Sequence, residues 1–222
     1  MENINIKTWD SMYSEGRSLL IWPDEIVVSS LNKNRSMISK GLDLGCGAGR
    51  HTLLMAQMGI ESIGVDSSKS AVEFAKKRAK NLKLNNVKFI NCVVQDIALE
   101  EESFDIVIAW GLMHYLDSED QKILLDKVKS LLKSDGLFLC TLRSDEDSRK
   151  DNGQNIQDNK YLVDYFDEGT EKVKKTIMYF WNEKGVRELL KDFSYIKLGH
   201  RIVEPIGKLN FKTAHWLIEA FK

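Results

Sequence analysis

Leu42-Asp43-Leu44-Gly45-Cys46-Gly47-Ala48-Gly49-Arg50 is the stretch on which the reading of this 222-residue chain turns. Apolar residues lead into three glycines spaced two apart, so a short strand ends and the chain turns. Glycine allows positive φ and leaves no side chain between the backbone and a ligand. The residues that follow read as a helix, whose first N–H groups have no partner inside it. Asp66 lies 21 positions after Gly45, at the end of the next apolar run. In nucleotide-binding α/β folds a carboxylate at that place accepts hydrogen bonds from ribose hydroxyls.

Working outward from the loop, 41–44 reads as strand and 52–58 as helix, with Gly59 as its C-terminal cap. A second strand, 63–65, ends in Asp66. Ser70 with Glu73 forms a capping box for a helix buried along Val72, Ala75, Ala79 and Leu82. Strands follow at 86–94 and 104–110, the latter continuous enough in apolar residues to be buried on both faces. Ser118 with Gln121 caps a helix carrying Leu124, Leu125, Val128, Leu131 and Leu132. A fifth strand, 137–142, starts after Gly136. Strand–helix alternation of this kind predicts an α/β fold with a parallel sheet and right-handed crossovers.

The flanks differ from this rhythm. In 1–39, Pro23 suits a first helical position, with Ile26, Val27 and Leu31 at helical spacing behind it. Trp9, Tyr13 and Trp22 in this extension either pack it onto the body or roof a ligand pocket. Residues 144–171 are polar and too long for an ordinary connector, so they are functional, partly disordered, or both. Residues 174–180 read as a strand at its end, and Asn182 caps a helix with Val186, Leu189 and Leu190. Residues 195–203 and 213–221 read as a closing antiparallel hairpin. The whole chain, 1–222, is read as one domain, with 144–180 as an insertion on the substrate side.

Composition narrows the function. A hydrophobic fraction of 43% and a charged fraction of 29% are those of a globular protein with a sizeable core. With 32 basic against 33 acidic residues the net charge is −1, which gives no global draw toward nucleic acid or an anionic membrane. No apolar run approaches the roughly 20 residues that span a bilayer. The start of the chain lacks the pattern of a signal peptide. Cys46, Cys92 and Cys140 are an odd, widely spaced set without a CxxC pair. They predict neither a disulfide framework nor a metal site, and a reducing, cytoplasmic setting.

Two kinds of cofactor use this loop. A dinucleotide wants Gly-x-Gly-x-x-Gly/Ala, and here Arg50 takes the third position. The remaining pattern, Asp-x-Gly-x-Gly-x-Gly, resembles motif I of the class I S-adenosylmethionine-dependent methyltransferases. The resemblance continues in order through Asp66, through Asp96 after Val93-Val94-Gln95, through Phe104-Asp105-Ile106-Val107-Ile108, and through Leu112-Met113-His114-Tyr115-Leu116. The turn Gly136-Leu137-Phe138 and the late strand pair fit as well. Trp9, Tyr13 and Trp22-Pro23-Asp24 resemble, less specifically, the start of tellurite-resistance-type and related small-molecule methyltransferases.

That resemblance implies a Rossmann-like fold, with a seven-stranded, mostly parallel sheet, an antiparallel C-terminal hairpin and helices on both faces. It implies methyl transfer from S-adenosyl-L-methionine to a small-molecule acceptor, leaving S-adenosyl-L-homocysteine. By the same resemblance Asp43, Gly45, Cys46, Gly47 and Gly49 hold the methionine part. Asp66 and Ser67 hold the ribose, and Gln95, Asp96 and Ile97 the adenine. Trp9 roofs the site, and Trp110 either lines the sulfonium or belongs to the core. His114, with Tyr115, is either a general base for the acceptor or a part of the loop's framework. An NAD(P)-dependent oxidoreductase and a non-catalytic cofactor-binding protein are the alternatives.

Overall fold

A computed structural model of the chain describes residues 4–17, 19–167 and 171–222. Residues 1–3 and 18 of the expected extension, and 168–170 of the expected insertion, lie outside the described residues.

Two helices open the chain, α1 (Ile4–Ser14) and α2 (Glu25–Lys33). The alternating body follows as β1 (Lys40–Leu44), α3 (Arg50–Gln57), β2 (Glu61–Asp66), α4 (Lys69–Asn81), β3 (Val87–Asn91), β4 (Phe104–Ala109), α5 (Ser118–Leu131) and β5 (Leu132–Ser144). Then come a short α6 (Ser148–Asp151), β6 (Gln154–Gln157), β7 (Lys160–Asp167), β8 (Lys172–Trp181), α7 (Glu183–Leu189), β9 (Tyr195–Val203) and β10 (Thr213–Phe221). Seven of the strands line up as β3-β2-β1-β4-β5-β10-β9. The first five are parallel, and β10 runs antiparallel to both β5 and β9.

The sheet is covered on both sides because its central strands carry apolar residues on both faces. Ile106 and Ile108 of β4 pack with Leu137 and Leu139 of β5 against Val27 and Leu31 of α2 and Met55 of α3. Val107 and Ala109, pointing the other way, join Phe138 and Cys140 against Leu124 and Val128 of α5 and Val186 of α7. Fully burying each such aliphatic side chain stabilises the fold by about 1.5–3 kcal/mol.

Three helix starts differ from their sequence signals. In α2 the cap is Asp24, whose Oδ1 accepts from Ile26 N at 3.1 Å, so Pro23 precedes the cap instead of opening the helix. In α4 the cap is Ser68, whose Oγ accepts from Ala71 N. Ser70 and Glu73 therefore fall inside the helix, and Glu73 pairs with Lys76. In α5 the cap is Asp117, and buried Gln121 donates to the carbonyls of Met113 and Leu116. In α4 and α5 a short polar residue just upstream of the expected one reaches the free N–H first. The Asn182 cap of α7 forms as expected, accepting from Gly185 N at 2.8 Å.

The larger correction concerns 144–180. Among the described residues the strands number ten, three more than the seven expected. The additional three, β6, β7 and β8, form an antiparallel meander that branches from the end of β5, where Arg143 and Ser144 pair with Phe180 and Trp181. Its small apolar face, Val163, Met178 and Phe180, is buried with Tyr115 and Tyr161. β8 covers the strand expected at 174–180, whereas β6 and β7 lie in the polar stretch, where no long apolar run marks them.

Candidate functional site

A cavity of about 890 Å³ opens where β1, β2 and β4 end. Its floor is the glycine loop. Gly45, Gly47 and Gly49 all have positive φ, at 65°, 51° and 78°. A Cβ on Gly47 would stand 2.6 Å from the Tyr13 hydroxyl, so α1 lies directly over the loop. Burial, with Asp66 nearby, pushes the Tyr13 phenol well above its ordinary range, and it stays protonated.

Asp66 is the carboxylate of this floor. Its Oδ2 accepts from Gly47 N at 2.8 Å and its Oδ1 from Ser68 N at 2.8 Å. Burial raises its pKa against those two bonds. Trp9, Tyr13 and Tyr115 close the cavity from above, with Trp9 edge-on to Tyr115 at 5.4 Å. Trp110, 8% exposed, forms the far wall beside His51. Burial, with Arg50 adjacent, lowers His51 to about 3, so its ring is neutral.

The structure brings Trp9, Gly45, Cys46, Gly47, Asp66, Ser67, Gln95, Trp110 and Tyr115 together around this one cavity, and it sets five other expected residues apart from it. Asp43 is 2% exposed and lies under the loop, where its Oδ2 accepts from Thr52 N and Oγ1. Gly49 caps α3 against Ala75 and Phe89. Asp96 is exposed, whereas Ile97 is buried in the core. The wall expected from them is built one turn earlier, by Cys92, Val93, Val94 and Gln95. His114 is 1% exposed and stands behind Tyr115, the rings 4.4 Å apart. Burial, then Arg143, pushes its pKa well below the ordinary histidine value.

Other wall residues carried no sequence signal strong enough to single them out. Lys160, Ile177 and Tyr179 come from the meander, and Asp117 and Asp120 from the start of α5. Asp120 accepts from the Gln95 amide. The two-residue spacing of Ile177 and Tyr179 on one strand face was the available clue.

Comparison with known proteins accounts for this geometry. A family profile described as a methyltransferase domain matches residues 38–190, more than half of the chain. The chain belongs to this methyltransferase family. Over 99 residues the methyltransferase domain is 33% identical to a probable S-adenosylmethionine-dependent methyltransferase of Saccharomyces cerevisiae, covering 44% of this chain and 33% of the yeast protein. The chain spans about a third to two fifths of the length of the first curated relatives it matches. Among solved structures, a SAM-dependent methyltransferase from Methanosarcina mazei superposes with a TM-score of 0.70 at 20% identity, over 90% of this chain and 98% of that one. The Burkholderia thailandensis 1,6-didemethyltoxoflavin N1-methyltransferase, solved with bound 1,6-didemethyltoxoflavin and S-adenosylhomocysteine, gives 0.70 at 19% identity, over 98% and 87%. The methyltransferase fold is thus the Rossmann-like one expected, with the meander added. The oxidoreductase alternative finds no support in these matches. Among the described residues no helix is long and apolar enough to cross a membrane.

Proposed function

We propose that this chain transfers a methyl group from S-adenosylmethionine to a small-molecule acceptor. The observation that carries the reading is the half-buried Asp66 carboxylate on the floor of a cavity whose loop is glycine at Gly45 and Gly47. Side-chain-free backbone on one side, an acid among ordered N–H groups in the middle and an indole at the far wall fit an amino acid, a ribose and a sulfonium in turn. When bound, this cofactor supplies a methyl carbon made electrophilic by the neighbouring sulfonium.

The chain's own residues do the rest. Asp66 accepts from the ribose hydroxyls. Asp43 acts as a positioning residue, tying the loop to the first turn of α3 through Thr52. Gln95, with Asp117 and Asp120 opposite, takes the adenine edge in place of Asp96. Trp9, Tyr13 and Tyr115 exclude water and hold the reactants in line, which is most of what a displacement at carbon needs. His114, neutral and buried outside the cavity, backs the Tyr115 ring and holds it in place. The chain acts as a single domain, with 1–39 as its cover and 144–180 as its outer wall. Its three free thiols fit a reducing compartment.

Calorimetric titration with S-adenosylhomocysteine, NADH and NADPH, repeated on Asp66→Ala, tests the reading. S-adenosylhomocysteine alone saturates the chain, and the substitution weakens it about tenfold or more. Absence of that binding, or tighter binding of a nicotinamide cofactor, overturns the proposal.

A further inference from the structure

Three basic side chains stand in one row across the sheet, where β5 ends. Strand register sets His215 of β10 opposite Arg143 of β5 on one side and Arg201 of β9 on the other. Directly opposed residues share a face of the sheet. That face also carries Thr141, whose Oγ1 accepts from Gly111 N at 2.8 Å. Trp110 and Gly111 border the cavity, so the row adjoins its far wall. From the other direction comes His114, its ring 6.1 Å from that of His215 and next to Tyr115, which lines the cavity.

The cluster carries more positive than negative charge. Arg143 and Arg149 share the buried Asp147, and Arg201 forks onto Asp24. Three guanidinium groups thus face two carboxylates. His215, lowered to about 3 by burial and by Arg143, is neutral and offers no acid to balance them. Two groups in this cluster also lack partners. Arg143 Nε and His114 Nδ1 are buried with no hydrogen bond among the described residues. Buried polar atoms in native proteins are almost always paired, and charged donors pair best with an anionic oxygen.

We infer that the methyl acceptor carries an oxyanion, a carboxylate or a phosphate monoester, which docks against Arg143, His114 and His215 beyond Trp110. The inference rests on the methyl-transfer reading for the word acceptor, but the anion subsite itself is independent of it. The meander and α1 then enclose the reacting end, while the row fixes the acceptor's far end.

The test is calorimetric titration of the chain, with and without S-adenosylhomocysteine, using benzoate against benzamide, acetate against acetamide, and phenyl phosphate. At least one anion binds about tenfold or more tighter than its neutral partner. The preference disappears in His215→Leu and in Arg143→Lys, which keeps a charge beside Asp147, while circular dichroism and S-adenosylhomocysteine affinity stay at wild-type values. Benzoate against phenyl phosphate separates a carboxylate acceptor from a phosphorylated one. Equal binding of acids and amides, or a preference that survives both substitutions, overturns the inference. An acid preference in a chain that does not bind S-adenosylhomocysteine supports the subsite and overturns methyl transfer instead.

Discussion

Thr52 gives both of its donors to Asp43, the backbone N at 3.1 Å and Oγ1 at 2.7 Å, and so ties the end of β1 to the start of α3 beneath the glycine loop. Thr52→Val removes one of these bonds from a buried carboxyl and destabilises the chain by about 1–3 kcal/mol. Burial raises Asp43 to about 7 against those bonds. Its unfolded pKa is about 4. A raised acid contributes stability that is fully present below the unfolded pKa and is lost as pH rises through the folded one. The stability of wild type relative to Asp43→Asn therefore falls between about pH 4 and pH 7 and is flat above. Urea unfolding across that range reads it, and a flat difference throughout refutes it.

Gly47 and Gly49 share positive φ but not surroundings. Alanine at either position costs roughly 1–2 kcal/mol in backbone strain. At Gly47 the new Cβ meets the tip of Tyr13, whereas at Gly49 it meets Ala75 and Phe89 at 3.0 Å, inside packed core. Gly49→Ala is thus the more destabilising. Adding Tyr13→Phe restores part of the loss in Gly47→Ala and none in Gly49→Ala. Denaturant midpoints of the four variants decide the order.

Asp24 caps α2 and also pairs with Arg201 through both carboxylate oxygens. Burial would raise its pKa, but Arg201 and the Ile26 N–H outweigh it and hold the carboxyl below the usual value. This contribution is present above about pH 4 and is lost as pH falls further. Asp24→Asn keeps the cap and loses the ion pair. Asp24→Ala loses both and is less stable than Asp24→Asn by about 1 kcal/mol. Equal stabilities would show that the cap bond contributes nothing.

Asp10 fastens α1 to the start of α4, accepting from Ser68 Oγ at 2.6 Å and Ser70 N at 3.1 Å. Asp10→Ala frees the helix that brings Trp9 and Tyr13 over the cavity. Trypsin then cleaves after Arg17 faster, and S-adenosylhomocysteine protects less than in wild type. Unchanged cleavage would mean that the aromatic contacts alone hold α1 in place.

Legibility tracked how local each signal is. The closing strands 195–203 and 213–221 coincide with β9 and β10, because alternation and a turn lie within one short window. The caps of α4 and α5 fall one or two residues before the expected ones, because Ser68 and Asp117 compete with Ser70 and Ser118 for the same free N–H groups. Of the meander, β8 coincides with the strand expected at 174–180, whereas β6 and β7 carry no local signal, and the meander's apolar face is completed only by Tyr115, some 50 residues earlier in the chain.

By itself the sequence determined the alternating α/β order, the glycine turn and the acid that follows the second strand. Each depends on neighbours in the chain, on glycine's access to positive φ and on an apolar period. Tertiary structure alone decided that Asp43 points beneath the loop, that Gln95 and not Asp96 reaches the cavity, and that Arg143, His215 and Arg201 form one row. Those outcomes depend on strand register and on which face a side chain takes, and a shift of one residue in register reverses them.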